Sequence, residues 1–115
     1  MASEKRTRVE IFLPVRTDTT IYRTVTDWLS EELALARGGS TLTTPFTGLY
    51  ASTITGRNVV HYQIQILFCD FDLDTNDPTH LRKLLSYLND LRLILIEILN
   101  EEDVWIIYHS ITRIL

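Results

Sequence analysis

Leu81, Leu84, Leu88, Leu91, Leu95 and Ile98 recur at alternating intervals of three and four. That spacing lays side chains along one stripe of a helix. Asp77 stands before the run as an N-cap, its carboxylate free to accept first-turn amides. Pro78 follows at the first helical position, where its missing N–H costs nothing. The pattern predicts a helix over 77–100, about 33 Å long. Leu85, Leu93, Ile94, Ile96 and Leu99 lie off the stripe and give its C-terminal half a second apolar flank. A helix apolar all round is buried on more than one side, so Leu93, Ile94, Ile96 and Leu99 are the candidate contact with another copy of the chain, with the open face of the sheet as the alternative or a second contact.

Before this helix the polar run Met1 to Thr7 predicts a flexible start. Val9, Ile11, Leu13 and Val15 alternate with Arg8, Glu10, Phe12 and Pro14, the period of a half-buried strand ending at the proline. The run TDTT (17–20) offers capping groups for a second helix, in which Ile21, Val25, Trp28, Leu29, Leu33 and Ala36 share a face. Gly38 and Gly39 stop it. A short irregular strand around 46–52 and a turn near 55–58 come next. In the strand that follows, Val60, Tyr62, Ile64, Ile66 and Phe68 point one way, and His61, Gln63 and Gln65 the other. After the long helix, VWIIYHSI (104–111) reads as a strand apolar on both faces.

The order strand, helix, strand, strand, helix, strand predicts an α+β, ferredoxin-like βαββαβ domain spanning 1–115. Four antiparallel strands would carry two helices on one face. The other face would show Glu10 and Phe12 with His61, Gln63, Gln65 and Tyr50. Either Trp105 with His109 or Ile106 with Tyr108 would join them.

The composition narrows the function classes. The chain has 115 residues and is 45% hydrophobic and 23% charged, ordinary values for a globular domain. A net charge of −4 argues against a nucleic-acid partner, which needs a basic face. Its positive charge is almost all arginine, with Lys5 and Lys83 the exceptions. No apolar run reaches the ~18 residues of a membrane span, and the N-terminus has no apolar leader. The single Cys69 fits a reducing compartment, so the cytoplasm is the expected location.

Asp70, Asp72 and Asp74 alternate as carboxylates able to hold a hard cation. The calcium-loop match fails at Thr75 and Leu81, where glycine and glutamate are required. A solvated strand exit leading to the Asp77 cap is the expectation, with no metal. Gly38-Gly39-Ser40-Thr41 has phosphate-loop composition, but it follows a helix and lacks a nearby lysine. A helix end is the expected role. Cys69 with His61 or His109 suggests a nucleophile and base, yet its apolar strand points to an inert core thiol. His80 lies in the first turn of the long helix. No cofactor motif is present.

The helix exit RGGSTLTTPFTGLYAS and the strand QIQILFCDFD, in this element order, resemble small uncharacterised bacterial proteins of ferredoxin-like shape, of the cyanobacterial kind. The resemblance covers nearly the whole chain and carries no activity. The same element order occurs in the P-II-like signalling trimers, whose phosphate-binding residues have no counterpart here. Two functions follow as expectations. One is a homo-oligomeric, dimeric small-ligand-binding or regulatory module; the alternative is a small enzyme with its pocket at His61, Gln63, Gln65 and Tyr50.

Overall fold

The computed structural model describes residues 2–15, 19–51 and 59–115. The first alternating segment forms β1 (Ser3–Pro14), with Val9, Ile11 and Leu13 buried. It starts earlier than the alternation predicts. Ser3 to Thr7 pair with the last strand, and the buried Thr7 donates its hydroxyl to the Leu73 carbonyl at 2.8 Å. A polar run joins a sheet when a neighbour satisfies its backbone groups, whatever its side chains prefer.

Helix α1 (Thr19–Arg37) buries Tyr22, Val25, Leu29 and Leu33. It ends at Gly38, whose φ of 89° is left-handed and whose N–H bonds the Ala34 carbonyl at 2.9 Å. Strands β2 (Thr41–Leu42), β3 (Phe46–Ala51) and β4 (Val59–Phe71) precede helix α2 (Pro78–Leu99), and β5 (Ile106–Ile114) closes the chain.

The result is an α+β fold with two helices and a five-stranded sheet whose described pairings are all antiparallel. Strands run β2–β4–β1–β5, with β3 also on β4. The expected four strands become five because the second is broken in two. Leu42 faces Leu67 and Phe46 faces Ile64, so three residues on one side pass two on the other. This is a bulge, and Pro45 within it has no N–H to give the ladder.

Both helices cover one face of the sheet, since their buried residues share a core with Val9, Ile11, Leu67, Cys69 and Phe71. The facing of β4 corrects the expectation. Gln65, Leu67, Cys69 and Phe71 turn to the helices, while Ile66 and Phe68 turn away, opposite Phe12 and Glu10. The stretch Ile66 to Cys69 is apolar on both sides, so alternation alone does not set its face. Pairing of Leu67 with Ile11 and Cys69 with Val9 does.

Helix α2 is capped as its sequence predicts. Asp77 accepts from the Thr79 and His80 amides, and Asn100 closes the other end in a left-handed conformation at φ 52°. Its buried stripe is Leu84, Leu88, Leu91, Leu95 and Leu99. Each such leucine contributes about 2 kcal/mol on burial. Ile98 is 45% exposed and Leu99 only 3%, which exchanges their expected places. At 3.6 residues per turn, Ile98 falls about 60° to one side of Leu95 and Leu99 about 40° to the other. The helix presents the nearer one.

Strand β4 outruns β1. The β1 ladder ends where Pro14 meets Ile64, beyond which Val59 to Gln63 pair with β3 in a two-stranded ribbon. The longest extent of the molecule is 49 Å. Among the described residues no helix is long and apolar enough to cross a membrane.

Candidate functional site

The sheet face away from the helices is organised in rows across β4, β1 and β5. Ile66, Phe12 and Trp105 form an apolar row, with the Phe12 and Trp105 ring centroids 6.4 Å apart. Phe68, Glu10 and Ile107 form the next, and Asp70, Arg8 and His109 the third. Arg6, Glu4 and Arg113 follow at the far end. The face thus passes from apolar to charged along the strands. This arrangement selects Trp105 with His109 over Ile106 with Tyr108, because Ile106 and Tyr108 pair with the inward Ile11 and Val9.

Several of these charges are paired in place. Arg8 binds Asp70 through Nε at 2.7 Å and Nη2 at 3.0 Å, and its guanidinium lies 5.1 Å from the Phe68 ring centroid. The Arg8 hydrogen bond, more than any other influence, holds the Asp70 carboxyl below the usual carboxylate range. His109 Nε2 is 3.1 Å from Glu10 Oε2, and Arg6 Nε donates to Glu4 Oε1 at 2.7 Å. The arginine–carboxylate pairs cost less to cover than free ions would.

Where the rows turn charged, a pocket of about 290 Å³ opens at the sheet edge. Strand β2 reaches β4 only at Leu67 and Phe68, leaving the outer edge from Cys69 to Phe71 without a strand neighbour among the described residues. The α1 exit, Arg37 to Thr41, walls the pocket on one side, and Arg6, Arg8 and Arg113 on the other. Arg37 lies 4.4 Å from the Phe71 ring centroid and 5.8 Å from that of Tyr87.

The residues singled out from the sequence disperse. Gln65 belongs to the helix side, where it accepts from the Tyr22 hydroxyl at 2.8 Å and donates to the Thr43 carbonyl at 3.0 Å. It therefore cannot share an open-face pocket. Gln63 is exposed and donates to Thr47 Oγ1 at 3.3 Å. The backbones of Tyr50 and His61 lie in the ribbon, and their side chains fall outside the described residues. The carboxylates separate too. Asp70 takes Arg8, Asp74 Oδ1 accepts from the Asn76 amide at 2.9 Å, and Asp77 caps α2, while Asp72 is exposed. Among the described residues no three candidate ligands gather around one point.

Cys69 is buried and its thiol is pushed up to about 11, chiefly by burial, so little thiolate exists near neutrality. His80 Nδ1 accepts from the Asp74 amide at 3.2 Å. Of the expected oligomer contact, Leu93 and Ile94 are exposed on α2. Ile96 packs against the core and Leu99 is part of it, because the inward face of α2 is centred near Leu95. The arginine pocket was missed. Its signal was the near-absence of lysine, which leaves arginine, the better fork for oxyanions, as the working cation. Comparison of the chain with known protein families, curated proteins and solved structures gives no match.

Proposed function

We propose that the protein is a homo-oligomeric small-ligand-binding or regulatory module of ferredoxin-like arrangement, working in the cytoplasm. Its β2 and β3 count as one interrupted strand in this arrangement. Two copies meet through the open faces of their sheets. The observation that carries this is the pair of apolar rows at Ile66, Phe12, Trp105, Phe68 and Ile107, with Trp105 and Ile107 about half exposed. The lone carboxylate among them, Glu10, already has His109 as partner. An apolar centre with a paired polar margin is the anatomy of a protein interface.

A standard interface of this kind covers roughly 800 Å² per partner. The single buried thiol suits a reducing compartment. The enzyme alternative loses Gln65 from its pocket.

Sedimentation equilibrium at micromolar concentration is the test. The wild type should sediment as a dimer. Ile107→Lys should sediment as a monomer with an unchanged far-ultraviolet spectrum, and Ile94→Lys should remain dimeric. A monomeric wild type overturns the proposal. Dissociation by Ile94→Lys but not Ile107→Lys moves the contact to α2.

A further inference from the structure

We infer that the pocket between the α1 exit and the ends of β1, β4 and β5 is a binding site for a phosphoryl group. Arg6, Arg8, Arg37 and Arg113 all line it, and among the described residues Asp70 is its only acidic lining residue. This is a concentration of positive charge on a chain whose net charge is −4. Both Asp70 oxygens are already held by Arg8. Glu4, outside the lining, is shared by Arg6 at 2.7 Å and Arg113 at 3.6 Å. Set against these two carboxylates, the four guanidiniums leave two positive charges over, reduced from further off by Asp72 acting on Arg6 and Glu10 acting on Arg8. An excess of two matches a phosphate dianion better than a single carboxylate.

The donors are also oriented. Arg8 keeps Nη1 after spending Nε and Nη2 on Asp70. Arg37 meets no carboxylate among the described residues. Its guanidinium is instead fixed against Phe71 and Tyr87, and a planar fork so fixed loses little freedom on binding an oxyanion. Gly38 and Gly39 keep the loop wall bare: a Cβ at either would stand in open space. The Gly-Gly-Ser-Thr stretch thus stands where a phosphate loop would be useful, with arginines from β1, α1 and β5 in place of the lysine it lacks. The opposing term is the negative end of the α1 dipole, which the Gly38 N–H bond to Ala34 partly occupies.

This names the ligand class of the small-molecule reading above, and it stands whether or not the chain dimerises. Inorganic pyrophosphate is the probe, titrated calorimetrically into the full chain at constant ionic strength, with citrate as a carboxylate of comparable charge. Pyrophosphate should bind with a sub-millimolar Kd. Arg37→Gln and Arg113→Gln should each weaken it at least tenfold. Arg92→Gln, whose arginine pairs with Asp103 outside the pocket, should leave it unchanged. No heat and no thermal shift at 10 mM pyrophosphate overturns the inference, as does equal weakening in all three variants, which would mean charge screening alone. Citrate binding without pyrophosphate binding also overturns it while leaving the ligand-binding reading intact.

Discussion

Replacing Tyr22 by phenylalanine probes the polar chain that ties α1 to the broken strand. Tyr22 is 6% exposed, and its hydroxyl donates to Gln65, which in turn donates to Thr43. Thr43 Oγ1 accepts the Ile66 amide at 2.9 Å beside the bulge. The substitution removes one oxygen and keeps the ring, so the cavity cost is small. What remains is a half-buried Gln65 oxygen without its donor, which costs about 1–2 kcal/mol. Urea unfolding at fixed protomer concentration should show a lower midpoint with an unchanged slope. A cycle with Gln65→Leu should return a coupling of about 1 kcal/mol.

The same phenol provides a second readout. Burial pushes its ionisation from 10.0 up to about 12 in the folded state. The stability gained by keeping it neutral is fully present below pH 10 and is lost as pH rises through about 12. Tyr22→Phe should remove that part of the alkaline decline. A neutral effect within about 0.3 kcal/mol, with the alkaline limb unchanged, would refute the placement of Gln65 beneath α1.

Two further outcomes follow. Leu95→Ala, at a position with 0% exposure, should cost about 2–5 kcal/mol, whereas Leu93→Ala, 52% exposed, should stay within about 0.5 kcal/mol by urea unfolding. The Asp77 carboxyl is held below its ordinary 3.8, first by the Thr79 amide, so its stabilising effect is present above that value and lost as pH falls through the lower folded one. Asp77→Ala should therefore unfold at lower urea than wild type at neutral pH, and the difference should vanish in acid; a constant gap would exclude the cap.

Features decided by chemistry within a few residues were legible from the sequence. The Asp77-Pro78 start of α2 and the Gly38 stop of α1 are of that kind. Features decided by distant partners were not. The facing of β4 depends on Val9 and Ile11, more than fifty residues earlier. Ile98 and Leu99 exchange places because an even interval of three and four only approximates the helical period. Pro45 was visible, but a bulge exists only relative to the strand it disturbs. The arginine pocket was hardest to see, being assembled from positions 6, 8, 37 and 113, which no local spacing connects.

The overreach of β4 past β1 gives one strand two different strengths. From Ile64 to Phe71 its backbone is held on the β1 side along the whole length, and on the other side through Phe68. From Val59 to Tyr62 the only described strand neighbour is β3. A lone pair of strands is marginal in water, so the ribbon opens at lower free energy than the body and does so without disturbing the core. Ile64 is the boundary between a scaffold and an arm, and a second molecule that paired with the arm's edge opposite β3, which has no strand neighbour among the described residues, would stiffen it at no expense to the sheet below.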